Sequence, residues 1–131
     1  MGTAFAYPCI DKNHDVSIVG THLENNVIDG INKNRFHSGL DTKIIDKIKF
    51  FKYDSIKEVF HKEADLIVVG VSSRGIDWIS KELKKVAKDG KLPNLLMLTK
   101  GLSINAKKYE LLVDKLERLL SENGIKNINL S

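Results

Sequence analysis

A chain of 131 residues suits one domain with a sizeable core. Apolar residues make up 42% and charged residues 29%, as in an ordinary soluble globular protein. The net charge of +4 comes from lysines scattered among acidic residues, which favours a solvated surface or a phosphorylated small molecule over nucleic acid. Cys9 is the only cysteine, so no intrachain disulfide forms and a reducing, cytoplasmic compartment is expected. No apolar run approaches the ~20 residues that span a bilayer. The start lacks the basic and long apolar regions of a signal peptide.

In chain order, the sequence opens directly as helix from Met1, with Gly2 or Thr3 at its start and Pro8 inside it. Lys12 to Asp15 end that helix, and Val16 to Gly20 read as a short strand followed by Thr21 and His22. Leu23, Val27, Ile28 and Ile31 have helical spacing, so a helix is expected over 23–34. Arg35 to Leu40 read as a loop, and Asp41 to Asp46 as one helical turn at most. Lys47 to Tyr53 predict a strand. Asp54-Ser55 then cap a helix expected to run through Glu63.

The most informative stretch follows. Every position from Leu66 to Val71 is Leu, Ile, Val or Gly, which predicts a strand buried on both faces. It breaks into Ser72-Ser73-Arg74-Gly75, small and turn-prone, before a helix over 76–88. Gly90 and Pro93 punctuate the exit. Leu95 to Thr99 predict another buried strand, ending in Lys100-Gly101. Tyr109, Leu112, Val113, Leu116, Leu119 and Leu120 mark the clearest amphipathic helix, stopped by Asn123-Gly124, and a last strand is expected over 125–130. Helix and strand alternate throughout. That pattern predicts an α/β fold: a Rossmann-like parallel sheet with helices on both faces.

In such sheets ligands bind beyond the carboxyl ends of the strands. Lys100 stands there and can reach an anionic group; the plainer reading is a solvated lysine beside a turn glycine. Thr21 and His22 occupy the strand end where nucleotide-binding folds recognise the ribose, although no acidic residue stands at that spot, and Glu24 comes slightly late. A helix opening with Gly2 can approach a phosphate, but the first two glycines of a G-x-G-x-x-G fingerprint are absent. His14, His22, His37 and His61 lack metal-ligand spacing, so no metal site is expected. Ser72 and Ser73 have no visible histidine–acid partner, which argues against a nucleophilic hydrolase.

Taken together, these motifs resemble the amino-terminal domain of NAD(P)-dependent glycerol-3-phosphate dehydrogenases, closest to archaeal-type members, along the whole chain. Met1-Gly2-Thr3-Ala4 matches the end of the family's glycine-rich loop. Asn32 to Leu40 is similar to its Asn-x-x-Arg-Tyr-Leu-Pro-Gly loop, with Ser38 in place of proline. Val69 to Ser73 looks like its Val-x-Val-Pro-Ser strand end, again without proline. Thr99-Lys100-Gly101-Leu102 matches its Thr-Lys-Gly-[LI] motif, the most specific of the four.

The resemblance implies an oxidoreductase that passes hydride between a nicotinamide cofactor, NAD or NADP, and C2 of dihydroxyacetone phosphate or glycerol 3-phosphate. It implies cofactor contacts at Met1, Gly2, Thr21, His22, Val71, Ser72, Ser73 and Lys100, with Lys100 also facing substrate. It further implies that residues 1–131 form a single truncated dinucleotide-binding domain. The family's first strand and its helical, carboxyl-terminal catalytic domain would then be missing, and the chain alone would be inactive. Two alternatives stand beside this reading: a non-catalytic nucleotide-binding or interaction module, and another β-hydroxyacid-dehydrogenase-like reductase. Neither a membrane span nor nucleic-acid binding is expected. A homodimer is compatible with the sequence, which leaves the oligomeric state open.

Overall fold

The computed structural model describes residues 1–61 and 64–131, which fall into two compact units, 1–62 and 63–131. In the first, helix α1 (Gly2–Asp11) leads to strand β1 (Ser17–Val19) and helix α2 (Asn25–Asn34). Strands β2 (Phe36–His37) and β3 (Thr42–Lys43) form a small antiparallel hairpin. Strand β4 (Lys49–Phe51) pairs parallel with β1, Ile18 opposite Phe50, and a 3-10 turn at Tyr53–Ser55 enters helix α3 (Ile56–His61). The expected end of α3 at Glu63 lies outside the described residues.

The apolar side chains that set these elements meet in one cluster. Ala6 and Ile10 of α1 pack with Ile28 and Ile31 of α2, Ile44, Ile48 and Phe50. Arg35 ties the cluster's polar edge. It closes α2 with a left-handed backbone (φ 56°), and its guanidinium donates to the carbonyls of Ile45 and Ile48, the latter at 3.0 Å. The same group lies 5.7 Å from the Phe50 ring centroid and 3.3 Å from Asp46. Asn32 donates to the Phe50 carbonyl at 3.3 Å. The Asn-x-x-Arg motif is thus a clamp between α2 and the segment entering β4, satisfying carbonyls that no strand pairs.

The second unit is built on strand β5 (Leu66–Val69), helix α4 (Ile76–Val86) and strand β6 (Asn94–Met97). Strands β5 and β6 pair in parallel, Ile67 opposite Leu95. Strands β7 (Leu102–Asn105) and β8 (Lys108–Leu111) form an antiparallel hairpin that feeds helix α5 (Leu112–Glu122). Ile76 and Leu83 of α4 and Leu112, Leu116 and Leu120 of α5 are buried. The unit is therefore of mixed α/β type, like the first, with a parallel strand pair and amphipathic helices.

Several sequence expectations need correction. The segment 35–46 is a hairpin rather than loop and helical turn: Ile44 is buried and its amide donates to the Arg35 carbonyl at 2.6 Å, which pins the strands. Helix α2 starts at Asn25 because Leu23 is 81% exposed and lies before the first turn. Strand β5 is not buried on both faces, since Leu66 is 45% exposed. Tyr109 belongs to β8, not to the helix. Over 125–130 only Leu130 bridges β6, opposite Leu95, although Asn129 and Ser131 also exchange backbone hydrogen bonds with it.

The β7–β8 turn explains its own concealment. Ala106 and Lys107 both adopt positive φ, 47° and 68°, as a two-residue primed turn demands. Asparagine and glycine normally supply that geometry, and here neither occupies those positions. The hairpin is held instead by α5. Arg118 grips Glu110 of β8 through two hydrogen bonds, 2.7 and 3.0 Å, and Ser103 of β7 donates to the same carboxylate at 3.3 Å. Arg118 also bonds Glu122 at 3.0 Å.

Arg118 holds the Glu110 carboxyl below the ordinary glutamate range. A depressed pKa stabilises the fold above the unfolded value and loses that contribution as pH falls through the folded one. Glu110→Gln should therefore be less stable than the parent at pH 7, and the gap should begin to narrow as pH falls to the unfolded glutamate value of about 4.3 and vanish below the lower folded one. Denaturant melts across this range check it; a gap independent of pH would contradict the assignment.

Candidate functional site

In the second unit the sequence-predicted residues lie at the carboxyl end of the β5–β6 pair. Pairing continues past the strands: the Leu98 amide donates to the Val69 carbonyl at 3.0 Å. Beyond it the Thr99 hydroxyl, buried in the unit, donates to the Val71 carbonyl. Val71 opens the loop carrying Ser72 and Ser73, and Thr99 is followed by Lys100. One side-chain hydrogen bond therefore joins the two loops on which Val71, Ser72, Ser73 and Lys100 stand.

Backbone geometry fixes each loop beyond that joint. Ser72 is extended (φ −69°, ψ 164°), and a 3-10 turn over Ser73–Gly75 leads directly into α4, with the Gly75 amide bonded to the Ser72 carbonyl at 2.8 Å. A Cβ at Gly75 would stand 3.0 Å from Val71 Cβ, so glycine lets the turn close against the strand end. Gly101 has φ 139°, a conformation that side chains rarely adopt, and its carbonyl accepts from Leu112 at 3.2 Å. The chain can thus leave Lys100 sharply and enter the hairpin. Ser72, Ser73 and Lys100 are all exposed, which leaves their polar groups available to a ligand.

The other candidates belong to the first unit. Met1 precedes the first residue of α1, Gly2, with no side-chain cap on that end and no acidic residue in the first turn. A Cβ at Gly2 would meet nothing within 4 Å. Thr21 and His22 follow β1, whose pairing with β4 extends to Gly20 through a 2.9 Å bond to the Phe51 carbonyl. The His22 ring meets Tyr53 edge-on at 6.2 Å.

Glu24 lies three residues beyond Thr21 in the sequence. The turn after β1 folds it back, and its carboxylate accepts from the Thr21 amide at 2.8 Å. The sequence signal was an acidic residue three positions beyond a strand-end threonine, which a tight turn brings home. Thr99 was visible only as a motif member; its role as the joint between loops depends on tertiary pairing. Among the described residues, no group of three His, Cys, Asp or Glu side chains could hold a metal ion, and no helix is long and apolar enough to cross a membrane.

The comparisons with known proteins bear on this arrangement. The family model described as NAD-dependent glycerol-3-phosphate dehydrogenase N-terminus matches residues 1–129. The chain belongs to this family. It is also similar to a protein of Archaeoglobus fulgidus named NADP(+)-dependent glycerol-3-phosphate dehydrogenase, with 24% identity over 102 residues. That match covers 78% of this chain and 29% of the relative, so the chain spans under a third of the relative's length.

The loop joint has a measurable weight. Thr99→Val keeps the shape but strands the Val71 carbonyl, and should cost about 1–3 kcal/mol. Thr99→Ser keeps the donor and should cost under about 1.5 kcal/mol. Urea denaturation of both variants decides it, and equal losses would deny the hydrogen bond its role.

Proposed function

We propose that this chain is the dinucleotide-binding part of a glycerol-3-phosphate dehydrogenase, with the two units forming one Rossmann-like domain. Support for a single domain comes from the family match, which runs through both units. The observation that carries the functional reading is the joint between Thr99 and Val71. It holds Lys100 and the Ser72–Ser73 turn at the same end of a parallel strand pair, where open α/β sheets take ligands.

In this reading the uncapped first turn of α1 offers backbone N–H groups, with the positive end of the helix dipole, to the pyrophosphate. Thr21, His22 and Glu24 border the adenosine ribose. Val71, Ser72 and Ser73 line the dinucleotide with backbone and hydroxyl groups. Lys100 sits where a compact ammonium can offset negative charge on the substrate's phosphate or on the oxygen at C2. A bound nicotinamide dinucleotide supplies the hydride chemistry. In the whole enzyme the reaction is dihydroxyacetone phosphate plus hydride and a proton giving glycerol 3-phosphate, or its reverse. The free Cys9 suits a reducing cytoplasmic setting.

Glu24 inclines the site toward NAD. Its carboxylate has lone pairs beyond the one accepting from Thr21, suited to a ribose 2′-hydroxyl, and its charge repels a 2′-phosphate. Titrating the chain with NADH and with NADPH into the millimolar range, by ligand-observed NMR, tests this. NADH should bind about tenfold more tightly, equivalent to about 1.4 kcal/mol, and Glu24→Gln should erase the difference. Binding of neither nucleotide would overturn the functional reading; equal affinities in the parent would overturn only the role of Glu24.

A further inference from the structure

At the amino edge of the β5–β6 pair the chain gathers lysines. Lys88 and Lys91 stand directly opposite one another in a small hairpin, their backbones joined by hydrogen bonds of 3.1 and 2.9 Å. Asp89 and Gly90 form its tip with positive φ, 51° and 70°, as a two-residue primed turn demands. The Gly90 carbonyl accepts from the Lys126 amide at 2.8 Å, which brings a third lysine against the turn. A fourth, Lys84 in the last turn of α4, donates to Asn123 at 3.4 Å. The next residue, Gly124, packs its carbonyl so close that a Cβ at Gly90 would stand 3.1 Å from it. These contacts hold four exposed lysines on one corner of the unit.

The arrangement works against itself. Like charges directly opposite on paired strands repel. Lys88, Lys91 and Lys126 have no carboxylate partner among the described residues. The nearby acids are committed elsewhere: Glu82 pairs with Lys85 at 2.7 Å and Glu122 with Arg118 at 3.0 Å. Asp89, at the tip, and Asp65, just before β5, remain, and both are exposed. They do not balance four ammonium groups, and a bound anion would relieve the repulsion.

We propose that this corner docks an acidic segment of a partner protein, one carrying several closely spaced carboxylates. Shape argues against a small ligand, because a hairpin tip is convex and small molecules take concave sites. Side-chain chemistry selects among larger anions. Bidentate recognition of phosphate calls for arginine, and none stands here; lysines, as flexible point charges, suit scattered carboxylates. Segments 84–91 and 123–126 carry no exposed aromatic or large apolar side chain on which a base could stack or that could enter a lipid layer. Asp89 completes the choice. Set between two lysines, it repels a continuous array of phosphates, whereas a peptide can place carboxylates on either side and a backbone N–H on Asp89 itself. The corner is also separate from the candidate nucleotide residues, since Lys91 precedes β6 and Lys100 follows it. The proposal therefore stands apart from the functional reading.

The probe is capped hexaglutamate, titrated into the 15N-labelled chain at about 0.02 M and about 0.15 M salt, where screening differs severalfold in range. Amide shifts should appear at Lys88, Gly90, Lys91 and Lys126, weaken with salt, and leave Ser72, Ser73 and Lys100 unmoved. Lys88→Gln with Lys91→Gln should loosen binding about tenfold. Lys107→Gln with Lys108→Gln removes the same charge from the β7–β8 turn and should leave affinity within about twofold. Without peptide, Lys88→Gln alone should raise the melting temperature, because it removes the cross-strand repulsion.

Equal loosening by the two double variants would reduce the effect to net charge and overturn the proposal. So would an absence of shifts at the corner in low salt, or a melting temperature that Lys88→Gln leaves unchanged or lowers. Tighter binding through the same lysines to phosphatidylserine vesicles or to single-stranded DNA than to the peptide would overturn it as well, in favour of a lipid or nucleic-acid surface.

Discussion

The parallel pairing of β5 with β6 is the constraint from which the second unit follows. Four residues of each strand align, and the ladder runs on through Leu98 and the Thr99 hydroxyl. A parallel pair cannot be closed by a tight turn, so the chain must travel over the sheet between the strands, and α4 is that crossover. Its buried Ile76 and Leu83 stay on the core side; the loop entering α4 lies at the carboxyl edge of the pair and the loop leaving it at the amino edge. The candidate residues follow from the parallel pairing: Ser72 and Ser73 lie where β5 gives way to α4, and Lys100 where β6 gives way to the hairpin.

The first unit obeys the same rule with a different fastening. There β1 and β4 are the parallel pair and α2 the crossover, but the return segment also holds the β2–β3 hairpin. Arg35 stabilises this excursion by meeting carbonyls of Ile45 and Ile48, groups that a helix or strand would otherwise have satisfied. A lysine there would keep the charge but lose the planar fork.

Much of this was legible in the sequence, and the gaps have physical causes. The parallel strands announce themselves as short β-branched runs, and α4 and α5 as apolar stripes of helical period. Both hairpins escaped notice because short-range turn signals failed. Asp41, Ala106 and Lys107 take positive φ without being glycine, and the two-residue strands β2 and β3 are too brief to show alternation. Tyr109 fitted the helical stripe of α5 by spacing alone; pairing opposite Ile104 placed it in a strand. Of the candidate site, Lys100 and the serine turn could be read from strand ends. The Thr99 joint and the folding back of Glu24 could not, since each depends on a contact that only the folded chain makes.

The central proposal is that the candidate residues of each unit, on the loops locked together by Thr99 and at the ends of α1 and β1, contact a nicotinamide dinucleotide. Backbone amide chemical shifts, followed by 15N-resolved NMR as NADH is added to the 131-residue chain, test it most directly. The account predicts that the largest shifts fall on Gly2, Thr21, His22, Ser72, Ser73 and Lys100, with the β2–β3 hairpin unmoved. Shifts confined to other surfaces, or a spectrum unchanged at saturating NADH, would contradict it.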